Sequence, residues 1–176
     1  EPETTKDNSY YYENIAAPLD SDNLAKFHEW IQRDLDKFSS VRNNTALIVG
    51  SAAWDILRPE VTQGRQFTNH QQSIKKLVNW IKTEYPAVDL YWLSPMAIHI
   101  HAVQEKNVKN GLMRYMSSSR SRYLYDVQKM IMEEMDVTFL DVYKATFLSA
   151  EQHWPVGDGI HYKKEFCRMM LDWFYL

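Results

Sequence analysis

Three short apolar runs constrain this chain more than any other feature. They are Thr45-Ala46-Leu47-Ile48-Val49-Gly50, Val88-Asp89-Leu90-Tyr91-Trp92-Leu93 and Val137-Thr138-Phe139-Leu140-Asp141-Val142. Each is short and rich in β-branched or aromatic residues, the pattern of a strand. The first reads as a strand buried on both faces, ending in a glycine. Helix-period stretches stand around them. Residues 23–38 repeat Leu24, Phe27, Ile31, Leu35 and Phe38 at three-to-four spacing, with Asp22 placed to cap the start. Residues 68–84 bury Ile74, Leu77, Val78 and Ile81. Residues 119–135 form a further helix, with Met130, Met132 and Met135 expected in the core. Residues 163–174 close the chain, with Phe166, Met169, Met170 and Trp173 expected inward. The aromatic-rich segment 9–15 is a fourth strand candidate, and residues 98–117 fit no clear period.

Strands that alternate with helices pair in parallel, because the helices supply the crossovers. The expected fold is α/β, a three-layer sandwich on a central, mainly parallel sheet of flavodoxin-like type. Residues 1–8 are expected to be a mobile lead-in, and 9–176 a single domain. Ligands in such sheets collect at the carboxyl ends of the strands. The loops after residues 15, 50, 93 and 142 should share that edge.

Composition narrows the function classes. A length of 176 residues with 45% hydrophobic content supports one core. Five glycines and six prolines argue against collagen-like or disordered structure. A net charge of −3 gives no footprint for nucleic acid. No apolar run approaches the roughly 18 residues of a membrane span. Glu1-Pro2-Glu3-Thr4-Thr5 is neither a start-methionine context nor a signal peptide, so the chain reads as processed or as part of something longer. The single cysteine, Cys167, allows no disulfide within the chain; it reads as a buried thiol or as one half of a bridge to another segment. Asn43-Asn44-Thr45 is an acceptor sequon for N-glycosylation at Asn43.

The chemically pointed segment is Gly157-Asp158-Gly159-Ile160-His161-Tyr162, between the last strand and the last helix. Spacing of three lets the Asp158 carboxylate fold back on His161, and Gly159 permits the tight turn. A carboxylate on one imidazole nitrogen fixes the tautomer, and the other nitrogen can then take a proton from a hydroxyl nucleophile. The same residues also suit an Asp-Gly turn whose histidine caps the next helix.

A second segment, Gly50-Ser51-Ala52-Ala53-Trp54-Asp55, follows the first buried strand. Backbone amides in such a turn can bind an oxyanion. It also reads as an ordinary strand exit, with Trp54 as a core anchor and Asp55 as a loop brace. His99 and His101, at alternate positions, could share a metal, but no third ligand stands at metal spacing, and no metal or other cofactor is expected. His99 and His153 read better as pocket walls, although His153 suits the surface equally. Arg120 and Arg122 could meet an anion or form a solvated helix end.

Together these blocks resemble the SGNH/GDSL hydrolase superfamily. The nearest branch is PC-esterase, which includes sialic-acid and plant-wall-polysaccharide O-acetyltransferase-like proteins. The resemblance runs from about residue 10 to 176. Asp158-Gly159-Ile160-His161-Tyr162 matches the branch's last block, and Gly50 to Asp55 resembles its third, where a strand leads into Gly-x-x-x-Trp-Asp. Trp92 to Pro95 resembles the fourth strand and its exit, and Tyr11 to Pro18 the second strand and its loop. The resemblance implies an esterase or O-acyltransferase acting on small acyl esters, possible sugar acetates among them. His161 would be general base and then acid, and Asp158 would orient it. Gly50, Ser51, Trp54, Asp55, His99, His153 and Tyr162 would line the substrate or oxyanion side. It also favours a secretory or extracellular setting.

The chain departs from the family at one decisive place. The first block, Gly-Asp-Ser on the loop after strand one, supplies the family's nucleophile, and no such tripeptide occurs here. Where the third block ordinarily offers an asparagine, Trp54-Asp55 stands, so oxyanion binding would fall to backbone amides. Two readings follow. In one, the serine and its strand lie upstream in a longer product. In the other, the chain is a non-catalytic SGNH-like subunit that binds a glycan or serves an assembly. In both, an upstream segment or a partner chain is expected at the first-strand position.

Overall fold

The computed structural model describes residues 19–37, 45–51, 53–56, 65–103, 116–153 and 158–174. The proposed strand at 9–15, the lead-in at 1–8 and the sequon at Asn43 lie outside these residues.

The elements run α1 (Leu24–Lys37), β1 (Ala46–Gly50), α2 (Ala53–Ile56), α3 (Arg65–Glu84) and β2 (Asp89–Leu93), then α4 (Ser118–Glu134), β3 (Thr138–Leu140), α5 (Tyr143–Phe147) and α6 (Lys164–Asp172). Short 3-10 turns occupy Ile100–Ala102 and Ala150–Gln152. The strands form a parallel sheet in the order β1-β2-β3, with Ile48 opposite Tyr91 and Tyr91 opposite Thr138. The strand–helix alternation thus yields the α/β sheet it implied.

Side-chain alternation assigns the two faces. Leu47, Val49, Leu90, Trp92 and Phe139 join the main core with Phe27, Ile31 and Leu35 of α1, Ile74, Leu77, Val78 and Ile81 of α3, and Val127, Ile131 and Met132 of α4. Leu93 is of opposite parity to Trp92 and packs on the other face, with Phe166 and Met170 of α6. The sheet is therefore the middle of three layers.

The second face is incompletely covered, and this corrects the expectation that β1 is buried on both sides. Ala46, Ile48 and Gly50 are exposed, Ile48 to 47%. The strand is at the edge of the described sheet, and α6 packs on that face against Leu93 of β2 and Val142 just beyond β3. A continuous apolar run reports that a strand can be buried on both faces, and among the described residues only one face has its cover.

Other expectations shift for local reasons. Asp20, rather than Asp22, collects the amides ahead of α1: its Oδ1 accepts from Asp22 and Asn23 at 3.1 and 3.0 Å. Met130 is exposed, because the buried stripe of α4 runs through Leu124, Val127, Gln128 and Ile131. Met169 and Trp173 are exposed as well. The buried stripe of α6 steps by four from Tyr162 through Phe166 to Met170, and residues at the other spacing fall to the side. Cys167 is half-buried beside that stripe, and burial pushes its thiol pKa up. The third strand is only three residues long. It ends because the Ser94 hydroxyl accepts from the Val142 and Tyr143 amides at 3.0 and 3.1 Å and starts α5.

Candidate active site

The loop ahead of α6 is built around one carboxylate. Asp158 Oδ1 accepts from the backbone amides of Ile160 and His161, both at 2.9 Å. Its Oδ2 accepts from His161 Nδ1 at 2.5 Å. These three donors fix the carboxylate, and the ring bond leaves the lone pair of the imidazole on Nε2. The Asp158 side chain is 15% exposed and the His161 side chain 74%. The carboxylate is thus recessed while the imidazole reaches solvent. Burial pushes the Asp158 pKa up, but the hydrogen bonds from the His161 ring and from the His161 and Ile160 amides outweigh it, and the group ionises below the usual carboxylate range.

Gly159 is required by two independent features. Its φ of +69° is left-handed, and a Cβ there would lie 2.4 Å from the His99 carbonyl oxygen and 2.7 Å from Val103 Cγ2. The close approach is itself a fastening, because the His99 amide donates to the Gly159 carbonyl at 2.9 Å.

Beneath the loop lie three of the residues expected to line a pocket. His99, His153 and Tyr162 are all buried, and the His153 ring lies 5.1 Å from that of His99 and 4.3 Å from that of Tyr162. Their polar atoms hold backbone. His99 Nε2 donates to the Thr146 carbonyl at 3.0 Å, Tyr162 Oη donates to the Ala97 carbonyl at 2.8 Å, and His153 Nδ1 donates to the His161 carbonyl at 3.1 Å. Burial raises the Tyr162 phenol pKa, so the hydroxyl remains a donor. His99 and His101 sit around a 3-10 turn rather than on a strand, and among the described residues no group of three histidine, cysteine or acidic side chains is placed to hold a metal.

Two residues without an evident sequence signal complete the edge. Ser94 joins the exits of β2 and β3, and Thr146 Oγ1 accepts from the Ala97 amide at 2.9 Å. The loops after β2 and β3 and the Asp158–His161 loop are thereby one hydrogen-bonded unit at the carboxyl edge of the sheet.

The loop after β1 is organised differently. Gly50 is pressed against β2, where a Cβ would meet the Leu93 carbonyl oxygen at 3.0 Å. Ser51 and Asp55 turn into a buried polar network. Ser51 Oγ donates to Asp55 Oδ2, and Asp55 Oδ1 accepts from the Leu19 amide at 2.7 Å and lies 3.1 Å from His70 Nδ1. Gln128 donates to the Ser51 carbonyl at 3.2 Å and accepts from the Trp92 indole at 2.9 Å. These side chains are committed to one another in the interior. Trp54 lies in α2. Burial pulls the His70 pKa down, but the charge and hydrogen bond of Asp55 and the Leu19 carbonyl outweigh it, and the imidazole titrates above its ordinary value. His70 and Gln128 did carry a signal: both are polar residues on the apolar stripes of α3 and α4.

The sequence matches no protein-family model and no curated protein. Among solved structures, the fold is similar to that of a lipase/acylhydrolase from Enterococcus faecalis, with a TM-score of 0.54 at 12% identity. The likeness covers 80% of this chain and 64% of that one. The parallel three-stranded sheet flanked by helices is of flavodoxin-like type, as the sequence implied.

Proposed function

We propose that this chain is the acid–base part of an SGNH-type esterase or O-acyltransferase, acting on small acyl esters such as sugar acetates. The observation that carries the reading is the Asp158–His161 pair on a loop at the carboxyl edge, with the carboxylate recessed and the imidazole open. In this reading a serine hydroxyl, supplied upstream in the intact product, attacks the ester carbonyl. His161 Nε2 takes the hydroxyl proton, and Asp158 stabilises the imidazolium. The tetrahedral intermediate collapses to an acyl-serine, and His161 returns the proton to the departing alcohol. Water or a sugar hydroxyl then attacks the acyl-serine, with His161 again as base. Backbone amides carry the oxyanion. The scheme calls for no metal or cofactor. The PC-esterase branch and the acetyl preference rest on the sequence resemblance.

The intact gene product should hydrolyse a generic acetyl ester such as p-nitrophenyl acetate and lose this on His161→Ala. An intact product without a serine on the loop after its first strand would sink the esterase reading. The exposed face of β1 around Ile48 supports a second reading, a non-catalytic subunit whose partner chain covers that face. Co-purification of a stoichiometric partner with an inactive intact product would favour it.

A further inference from the structure

His153 is buried, with 8% of its surface exposed, in a position that costs it a hydrogen bond. Its Nδ1 lies 3.1 Å from the His161 carbonyl oxygen. A carbonyl only accepts, so Nδ1 carries the proton and Nε2 carries a lone pair. That Nε2 is buried and has no partner among the described residues. A phenylalanine would fill the same space between His99 and Tyr162 without stranding an acceptor. The imidazole is therefore explained by what its Nδ1–H does rather than by packing.

The geometry points to His153 as a positioning residue for His161, its neutral imidazole holding the His161 carbonyl and so fixing the backbone from which the base projects. This assignment rests on the reading of Asp158 and His161 as an acid–base pair. Three further observations support it. The backbone of His153 pairs with that of Tyr162 in an antiparallel bridge, and the Lys163 amide donates to the Gln152 carbonyl at 2.8 Å, so the segment is fastened on both sides of the ring. The ring lies against Tyr162, whose own hydroxyl is tied to Ala97 and Thr146. Burial lowers the His153 pKa and the neighbouring His99 and His101 add to this, against the pull of the His161 carbonyl and Asp158, so the neutral form persists. The His161 residue is then held at three points: its ring and amide on Asp158, and its carbonyl on His153.

The test is nitrogen-resolved NMR of the labelled chain, with amide hydrogen exchange on His153→Phe and His153→Asn. Wild-type His153 should be the Nδ1–H tautomer at neutral pH. His153→Phe keeps the ring and removes the donor, and exchange at the Ile160 and His161 amides should rise about tenfold, the worth of one hydrogen bond, with the α4 amides unchanged. His153→Asn returns a donor near the Nδ1 position and should restore protection to within about twofold. An Nε2–H tautomer in the wild type, or unchanged exchange in His153→Phe, would overturn the assignment. Neither readout needs turnover. An intact wild-type product without esterase activity would therefore remove the proposed function while leaving the His153 result to stand or fall by itself.

Discussion

Asp55 Oδ1 and His70 Nδ1 lie 3.1 Å apart in the interior, joining the exit of β1 to α3. The carboxylate also holds the Leu19 amide and the Ser51 hydroxyl, so three segments of the chain, at residues 19, 51–55 and 70, meet on one side chain. Removing it strands the Leu19 amide and the Ser51 hydroxyl in a buried site and leaves His70 Nδ1 only the Leu19 carbonyl at 3.1 Å. Asp55→Ala should destabilise the fold by about 3 kcal/mol, the usual cost of breaking a buried pair from one side, measured by denaturant unfolding.

The same pair sets a pH dependence. The folded His70 pKa is raised above its unfolded value, so the folded state binds more protons as pH falls toward that range. The stabilisation is complete below about pH 6.5, the ordinary histidine value. It fades as pH rises through the folded pKa. Protonation at Nε2 gives up the 3.4 Å contact with Gln128, the longest in the network, which limits the gain. Unfolding free energy should fall between mildly acidic and mildly alkaline pH in the wild type. That slope should disappear in His70→Gln. An equal slope in both proteins would show that other groups set it.

What the sequence disclosed and what it withheld divide along chain separation. Asp158 and His161 were legible because their geometry is made by four adjacent residues, and the glycine between them announces its turn. The strands were legible because apolar runs of strand length are hard to place otherwise. The fastening of the site was not. Thr146 reaches Ala97 across 49 positions and Ser94 reaches Val142 across 48, and nothing local at either end reports the partner. His70 and Gln128 are an intermediate case. A polar residue on an apolar helical stripe signals a buried network, but not who shares it. Met130, Met169 and Trp173 mark the opposite limit, since apolar residues beside a stripe are as compatible with the surface as with the core.

Gly159 links the dyad to the bracket beneath it. Gly159→Ala must hold a side chain at a φ of +69° and place a Cβ 2.4 Å from the His99 carbonyl oxygen, which is backbone and cannot swing aside. The left-handed conformation alone costs about 1–2 kcal/mol. The contact is relieved only by lifting the loop from residues 99–103, which breaks the His99–Gly159 hydrogen bond. The variant should unfold at lower denaturant and, in an active intact product, lose most of its turnover. Wild-type stability and activity together would show that the loop tolerates a different path.

Asp158→Asn separates orientation from charge. An amide can still accept through its oxygen, but it carries no charge to stabilise an imidazolium, and its NH2 can force the wrong tautomer on His161. In an active intact product turnover should fall by about two to four orders of magnitude, with KM little changed. Because the Asp158 pKa is depressed, its carboxylate remains charged down through the ordinary carboxylate range near 3.9. Its contribution to folding is present above that range and is lost only as pH falls through the lower folded value. Amide exchange at Ile160 and His161 should accordingly hold steady from neutral pH to about pH 5 once corrected for the intrinsic pH effect. A loss of protection well above that range would show that Asp158 is not held as described.

Ile48 tests the uncovered face of β1. The residue is 47% exposed, whereas its neighbours Leu47 and Val49 are partly buried and pack against the main core. In the chain alone, Ile48→Asp should therefore cost little, under about 1 kcal/mol, as for surface changes in general. Val49→Asp, one residue on, would put a charge into the core and should prevent folding. In the intact product or in an assembly, where a further segment or a partner covers the face, Ile48→Asp becomes a buried charge and should cost several kcal/mol or release the partner. Comparing the two settings by denaturant unfolding and by size-exclusion chromatography measures that cover directly. An equally small effect in both would mean that the face remains open to water and that nothing docks there.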